Sequence, residues 1–69
     1  MKVLVNKLRE LRFMSGEMTQ QNLATKVDVT RQTIIAVEKG KFNPSVKLAL
    51  SIADVFQKNV EDIFYLEEE

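Results

Sequence analysis

The sequence predicts an all-α fold of five short helices in one small domain spanning residues 1–69. Three observations support this prediction. Apolar residues recur at helical spacing, serine, threonine or asparagine precedes most of the apolar runs, and glycine or proline separates several of them. A chain of this length has room for only one core. The ends of the chain leave two alternatives open, frayed tails or a short pair of β-strands.

The first helix is predicted from leucine spacing. Leu4, Leu8 and Leu11 recur at intervals of three and four residues, and Asn6 is the candidate cap. We therefore expect the first helix over about residues 6–14, ended by the serine and glycine that follow.

The second and third helices are separated by a short break at Asp28-Val29. Thr19 is the predicted cap of the second helix and Thr30 that of the third. Gly40 can supply the left-handed residue that ends the third helix. Two helices joined so closely must cross steeply, which is the layout of a helix-turn-helix.

The fourth and fifth helices follow a proline loop. Pro44 cannot continue a helix, and Ser45 is the predicted cap of an apolar stripe that follows it. Asn59 and Asp62 have the spacing of a capping box and open a short last helix. The terminal segments "KVLV" and "FYLEEE" are not helical in character. They either fray or pair as strands.

Charge is distributed unevenly along the chain although the net charge is zero. The first 47 residues carry nine basic and four acidic side chains, whereas the remaining 22 carry one basic and six acidic side chains. Such asymmetry is typical of a surface that faces a polyanion, although an acidic tail is also an ordinary solubility device.

The residue inventory argues against several functions. There is no histidine or cysteine, no glycine-rich phosphate loop and no pair of carboxylates across a pocket, so we expect no enzyme activity, metal, cofactor or small-molecule ligand. No apolar run has the length of a signal peptide or a membrane span. This predicts a soluble, cytoplasmic protein with no membrane partner.

Four short motifs occur in order: T-Q-x-x-L-A, T-R-Q-T-I, E-x-G-K-x-x-P-S and E-D-I-F. In this combination the chain resembles the Cro/phage-repressor class of helix-turn-helix regulators, the Xre family, and in particular its minimal single-domain members. The resemblance implies a five-helix lambda-repressor-like DNA-binding domain with its helix-turn-helix at about residues 19–40. It also implies a sequence-specific transcriptional regulator, expected to be a repressor, whose partner is double-stranded DNA.

Two positions depart from the family pattern. Asp28 stands in the turn where glycine is common, and Gln57 stands after the fourth helix where the family usually has glycine. Aspartate tolerates the left-handed region, so we expect the turn to survive. Gln57 leaves open the angle between the fourth helix and the last one.

The third helix carries the residues that the resemblance implies for reading bases. Arg31 can bond N7 and O6 of guanine, and Gln32 can bond N6 and N7 of adenine. Ile35 offers apolar contact to a thymine methyl group, and Ala36 is small enough for close approach. The implied phosphate contacts are Gln20, Thr30, Thr33, Lys39, Lys41 and Asn43.

A homodimer on an inverted repeat is expected, because one copy reading about four base pairs is not selective in a genome. Phe64, Tyr65 and Leu66 are the candidate dimer contacts. The alternative is a protein-interaction module of the same fold, such as the antitoxin of a toxin–antitoxin pair. A neighbouring reading frame whose product co-purifies with this chain would favour that alternative.

Overall fold

The computed structural model describes residues 1–69 and contains five helices and two strands. In chain order they are β1 (Lys2–Asn6), α1 (Leu8–Met14), α2 (Gln20–Lys26), α3 (Arg31–Glu38), α4 (Val46–Phe56), α5 (Val60–Ile63) and β2 (Phe64–Glu68). The predicted five-helix architecture is confirmed. None of these helices combines the length and apolarity that crossing a bilayer requires.

The two ends of the chain pair as antiparallel strands rather than fraying. Lys2 lies opposite Glu68, and Asn6 lies opposite Phe64. Leu4, in the middle of β1, packs against the core. The sheet therefore attaches the N-terminus to the last helix, and the strand alternative is the one that forms.

The first helix begins two residues later than expected. Asn6 is the last residue of β1, Lys7 is the N-cap, and α1 starts at Leu8. Asn6 still satisfies a helix donor, because its Oδ1 accepts a hydrogen bond from the Leu8 N–H at 3.1 Å. Its Nδ2 donates to the carbonyl of Val37 at 3.0 Å, which ties the end of the strand to α3.

The predicted caps of the other helices are confirmed. Thr19, Thr30 and Ser45 each accept, through the hydroxyl oxygen, a hydrogen bond from the backbone N–H three residues later. At the start of α5, the Asn59 N–H donates to Oδ2 of Asp62 at 3.3 Å. These bonds satisfy N–H groups that have no partner inside the helix.

Left-handed backbone conformations occur where the family favours glycine. Asp28 has φ 57° and Gln57 has φ 53°, so both side-chain-bearing residues adopt the conformation that glycine would supply. Gly40, which follows α3, has φ 75°. The turn between α2 and α3 and the exit from α4 therefore keep their direction despite the two departures.

The core consists of twelve buried apolar side chains contributed by all five helices and β2. They are Leu8, Leu11, Leu23, Ala24, Val27, Ile34, Val37, Leu48, Ile52, Ala53, Ile63 and Phe64. Phe64, one of the three candidate dimer contacts, does not lie at the surface of the single chain. Its side chain is only 7% exposed because the first residue of β2 points into the chain's own core.

Gly40→Ala is expected to lower the free energy of unfolding by about 1 kcal/mol, because alanine resists a positive φ. The added Cβ would meet no atom within 4 Å, so the effect is one of backbone conformation alone. Gly40→Asn is the matched control and should lose a clearly smaller amount, since asparagine tolerates this region. Urea unfolding of the three proteins measures both effects, and equal losses would contradict the explanation.

Candidate nucleic-acid interface

α3 has one face in the core and another in solvent. Ile34 and Val37 are 0% and 1% exposed and anchor the helix. Arg31 and Gln32, at the start of the helix, are exposed. The helix is therefore held along one side and presents polar side chains on the other.

The remaining two base-reading candidates, Ile35 and Ala36, are partly exposed. At helical spacing, Ile35 lies one turn from Arg31 and Ala36 one turn from Gln32, so the four side chains form two adjacent rows. These rows lie away from the Ile34 side of the helix. The structure thus brings the four candidates together on one accessible surface.

The six phosphate candidates differ in exposure. Thr30, Lys39, Lys41 and Asn43 are exposed, whereas Gln20 and Thr33 are partly buried. The hydroxyl groups of Thr30 and Thr33 are hydrogen-bonded to each other at 3.1 Å, and Thr30 also caps α3. Both ends of α3 therefore carry polar groups that are free to approach a polyanion.

Gln20, the first residue of α2, is oriented by an acidic side chain of α3. Its Nε2 donates a hydrogen bond to Oε1 of Glu38 at 3.2 Å. This bond uses one amide hydrogen and leaves the second hydrogen and the amide oxygen available. Glu38 thereby fixes the direction of a side chain that the family resemblance assigns to phosphate binding.

Glu38 also forms a buried ion pair that the sequence analysis missed. Arg12 Nε donates to Glu38 Oε2 at 2.6 Å, and Arg12 Nη2 donates to Oε1 at 3.1 Å. Arg12 Nη1 donates to the carbonyl of Met18 at 2.8 Å. The two charged side chains are only 9% and 8% exposed. Three parts of the chain, namely α1, the residues before α2 and the end of α3, meet at this pair.

A sequence signal for the ion pair exists in hindsight. Arg12 continues the buried row of Leu8 and Leu11 on α1, and Glu38 continues the buried row of Ile34 and Val37 on α3. Each charge therefore extends an apolar stripe by one position at i+4 spacing. Opposite charges in such positions on two helices predict a buried pair, because a charge that faces the core requires a partner.

Two closely joined helices, the second with its core face anchored and its polar face exposed, define a helix-turn-helix DNA-binding unit. A helix-turn-helix family model matches residues 8–63. The chain belongs to the Cro/phage-repressor (Xre) type of helix-turn-helix proteins, which are DNA-binding transcriptional regulators. The resemblance inferred from the four motifs is confirmed.

Several similar proteins carry the same description. The chain is 52% identical over 64 residues to the HTH-type transcriptional regulator MJ0272 of Methanocaldococcus jannaschii, covering 93% of this chain and 96% of that protein. It is 50% identical over 64 residues to the HTH-type transcriptional regulator YgzD of Bacillus subtilis, with the same shares covered. An HTH-type transcriptional regulator of Archaeoglobus fulgidus is 51% identical over 63 residues, 91% of this chain and 89% of that protein. These relatives are described as regulators, not as enzymes.

Glu38→Leu is expected to destabilise the fold by about 3–5 kcal/mol, because it leaves the Arg12 guanidinium buried without its partner. The double variant Arg12→Met/Glu38→Leu removes both charges and should recover most of that loss. Urea unfolding of the wild type, Arg12→Met, Glu38→Leu and the double variant gives the coupling free energy. If the stability losses of the two single variants add in the double variant, Arg12 and Glu38 are not energetically coupled, which would contradict the structural role of the pair.

Proposed function

We propose that this chain is a sequence-specific transcriptional repressor that binds an inverted-repeat operator as a homodimer through the major groove. The observation that supports this proposal is the arrangement of α3. Its core face is fixed by Ile34 and Val37, and Arg31 and Gln32 are exposed at its N-terminal end. In helix-turn-helix proteins this end of the second helix contacts base edges.

The dimensions and chemistry of α3 suit the major groove. The groove is about 12 Å wide, and a helix with its side chains is about 10–12 Å across. Arg31 would bond guanine in two places, and Gln32 would do the same for adenine. Ile35 would favour a thymine methyl group, while Ala36 would leave room for the helix to approach. Each half-site would therefore contain a guanine at the position that Arg31 contacts.

Phosphate contacts on either side of α3 would hold this helix in register. The candidates for this role are Gln20, Thr30, Thr33, Lys39, Lys41 and Asn43. Gln20 would act from the start of α2, oriented by Glu38, and the others from the two ends of α3 and the following loop. Such contacts contribute affinity without sequence preference.

The size of the proposed complex supports repression. The chain is 33 Å in its longest dimension, close to the roughly 34 Å of one helical turn of DNA. Two copies on half-sites one turn apart would cover the operator continuously. A dimer bound in this way would exclude other proteins from that DNA.

We infer that α4 supplies the dimer surface. Val46 and Leu50 lie one turn apart on α4 and are 77% and 56% exposed, which is unusual for large apolar side chains on one helix face. Leu50 also borders the same surface depression as Val60 of α5.

The alternative dimer surface on β2 is less favourable. Leu66 is 62% exposed, but Glu67, Glu68 and Glu69 follow it directly. An interface at Leu66 would have to enclose or closely flank these carboxylates, and a charge that loses its hydration without a partner is costly. Tyr65 is already in contact within the chain, with the Lys7 ammonium 5.7 Å from the centre of its ring.

Selection from a random duplex library is expected to enrich an inverted repeat with the wild-type protein. Arg31→Ala should lose the preference for one base in each half-site, because only the base contact is removed. Lys39→Ala is the matched control. It should weaken binding about equally on all sequences and leave the base preferences unchanged. A wild-type protein that enriches no sequence would overturn the proposed function.

Leu50→Glu is expected to be monomeric in sedimentation experiments at concentrations where the wild type is a dimer, since it places a charge on the proposed α4 surface. Leu66→Glu makes the same chemical change on β2 and should remain dimeric. Dissociation by Leu66→Glu instead would move the interface to β2. A wild-type protein that is monomeric on DNA at every concentration would contradict the homodimer.

A further inference from the structure

A surface groove runs beside α3 and is bordered on its other side by α1 and the start of α2. Three of its lining residues, Arg31, Gln20 and Lys39, are already candidates for binding DNA. Arg9 and Phe13, both on α1, line the same groove and have no role in the proposed function so far. The DNA-facing surface is therefore continuous with a part of α1 that carries an arginine.

The groove has a net positive charge. Arg12 and Glu38 also border it, but they neutralise each other in the buried ion pair. Arg9, Arg31 and Lys39 then remain against the single carboxylate of Glu17. Positive charge concentrated in a groove attracts a polyanion and increases its local concentration.

Phe13 gives Arg9 a defined position. Phe13 is 52% exposed and is not part of the hydrophobic core. The guanidinium carbon of Arg9 lies 5.6 Å from the centre of this ring, one helical turn away on α1. The guanidinium carbon of Arg12 lies 5.7 Å from the centre of the same ring. A planar guanidinium that packs on an aromatic ring loses little freedom and keeps its N–H donors available for a ligand.

We propose that Arg9, supported by Phe13, forms a phosphate-binding site on α1. This site binds the DNA backbone beside the backbone contact made by Gln20. This inference rests on the proposed function and extends it to a helix outside the helix-turn-helix. The guanidinium matches a phosphate geometrically, since it can donate two parallel hydrogen bonds. Arg9 is separated from the exposed rows of α3 by the groove, so its contact carries affinity rather than sequence preference.

The salt dependence of DNA binding tests this site. For Arg9→Gln, we expect the negative slope of log K against log salt concentration to become shallower by about 0.9 for each Arg9 in the complex. The base preferences found by library selection should be unchanged. Lys2→Gln removes the same charge at the far end of β1, opposite Glu68, and is the matched control that should keep the wild-type slope.

Phe13→Leu tests the supporting role of the ring. Leucine retains apolar bulk but cannot stack on the guanidinium, so we expect weaker binding than in the wild type. In the double variant with Arg9→Gln, the leucine should have little further effect, because the side chain that the ring supports is already gone. Thermal unfolding followed by circular dichroism verifies that each variant is folded. Additive effects of the two substitutions on DNA affinity would contradict the coupling.

The outcomes separate this inference from the proposed function. If Arg9→Gln has the same salt slope as the wild type and Lys2→Gln, the α1 site is wrong while the proposed function stands. A change in base preference with Arg9→Gln would also overturn the phosphate role. A wild-type protein that selects no operator would overturn the proposed function and this inference with it.

Discussion

The buried ion pair between Arg12 and Glu38 is the interaction on which the position of α3, the proposed DNA-reading helix, depends. Both side chains are almost completely removed from solvent, so each requires the other as a partner. Because Arg12 is on α1 and Glu38 ends α3, the pair fixes α3 relative to a helix outside the helix-turn-helix. The second bond of Glu38, to Gln20, extends the same constraint to the start of α2.

The rest of the fold supports this arrangement through local bonds and a small core. Capping hydroxyl groups set where α2, α3 and α4 begin, and left-handed residues set where the chain turns. The terminal sheet holds α1 and α5 together, with the Lys7 N–H donating to the Ile63 carbonyl at 2.9 Å. In a chain this short, such bonds matter because the core alone is marginal. The result is that α3 lies at the surface with its core face fixed.

Features that depend on neighbouring residues were predictable from the sequence, whereas features that depend on distant ones were not. Capping residues and apolar spacing predicted the helices. The same spacing predicted that Ile34 lies on the core face of α3 and Arg31 on its exposed face. The burial of Arg12 depends on Glu38, 26 positions away. The i+4 spacing places each charge on the apolar face of its own helix, but it does not show that the two faces meet. Side chains alternate between the two faces of a strand, so the burial of Phe64 depends on the register of β2. A shift of one residue would move its side chain from the core to the surface. The packing of Arg9 on Phe13 was missed because exposed charges are usually solvated.

In the proposed binding mode, α3 enters the major groove in two half-sites and reads a guanine in each. Methylation interference on the selected operator tests it most directly, because dimethyl sulfate marks guanine N7 in the major groove and adenine N3 in the minor groove. Guanine methylation should block binding at two symmetric positions, about one helical turn apart. Adenine methylation in the minor groove should have no effect. Interference from adenine N3 alone, or from a single unpaired position, would contradict this binding mode.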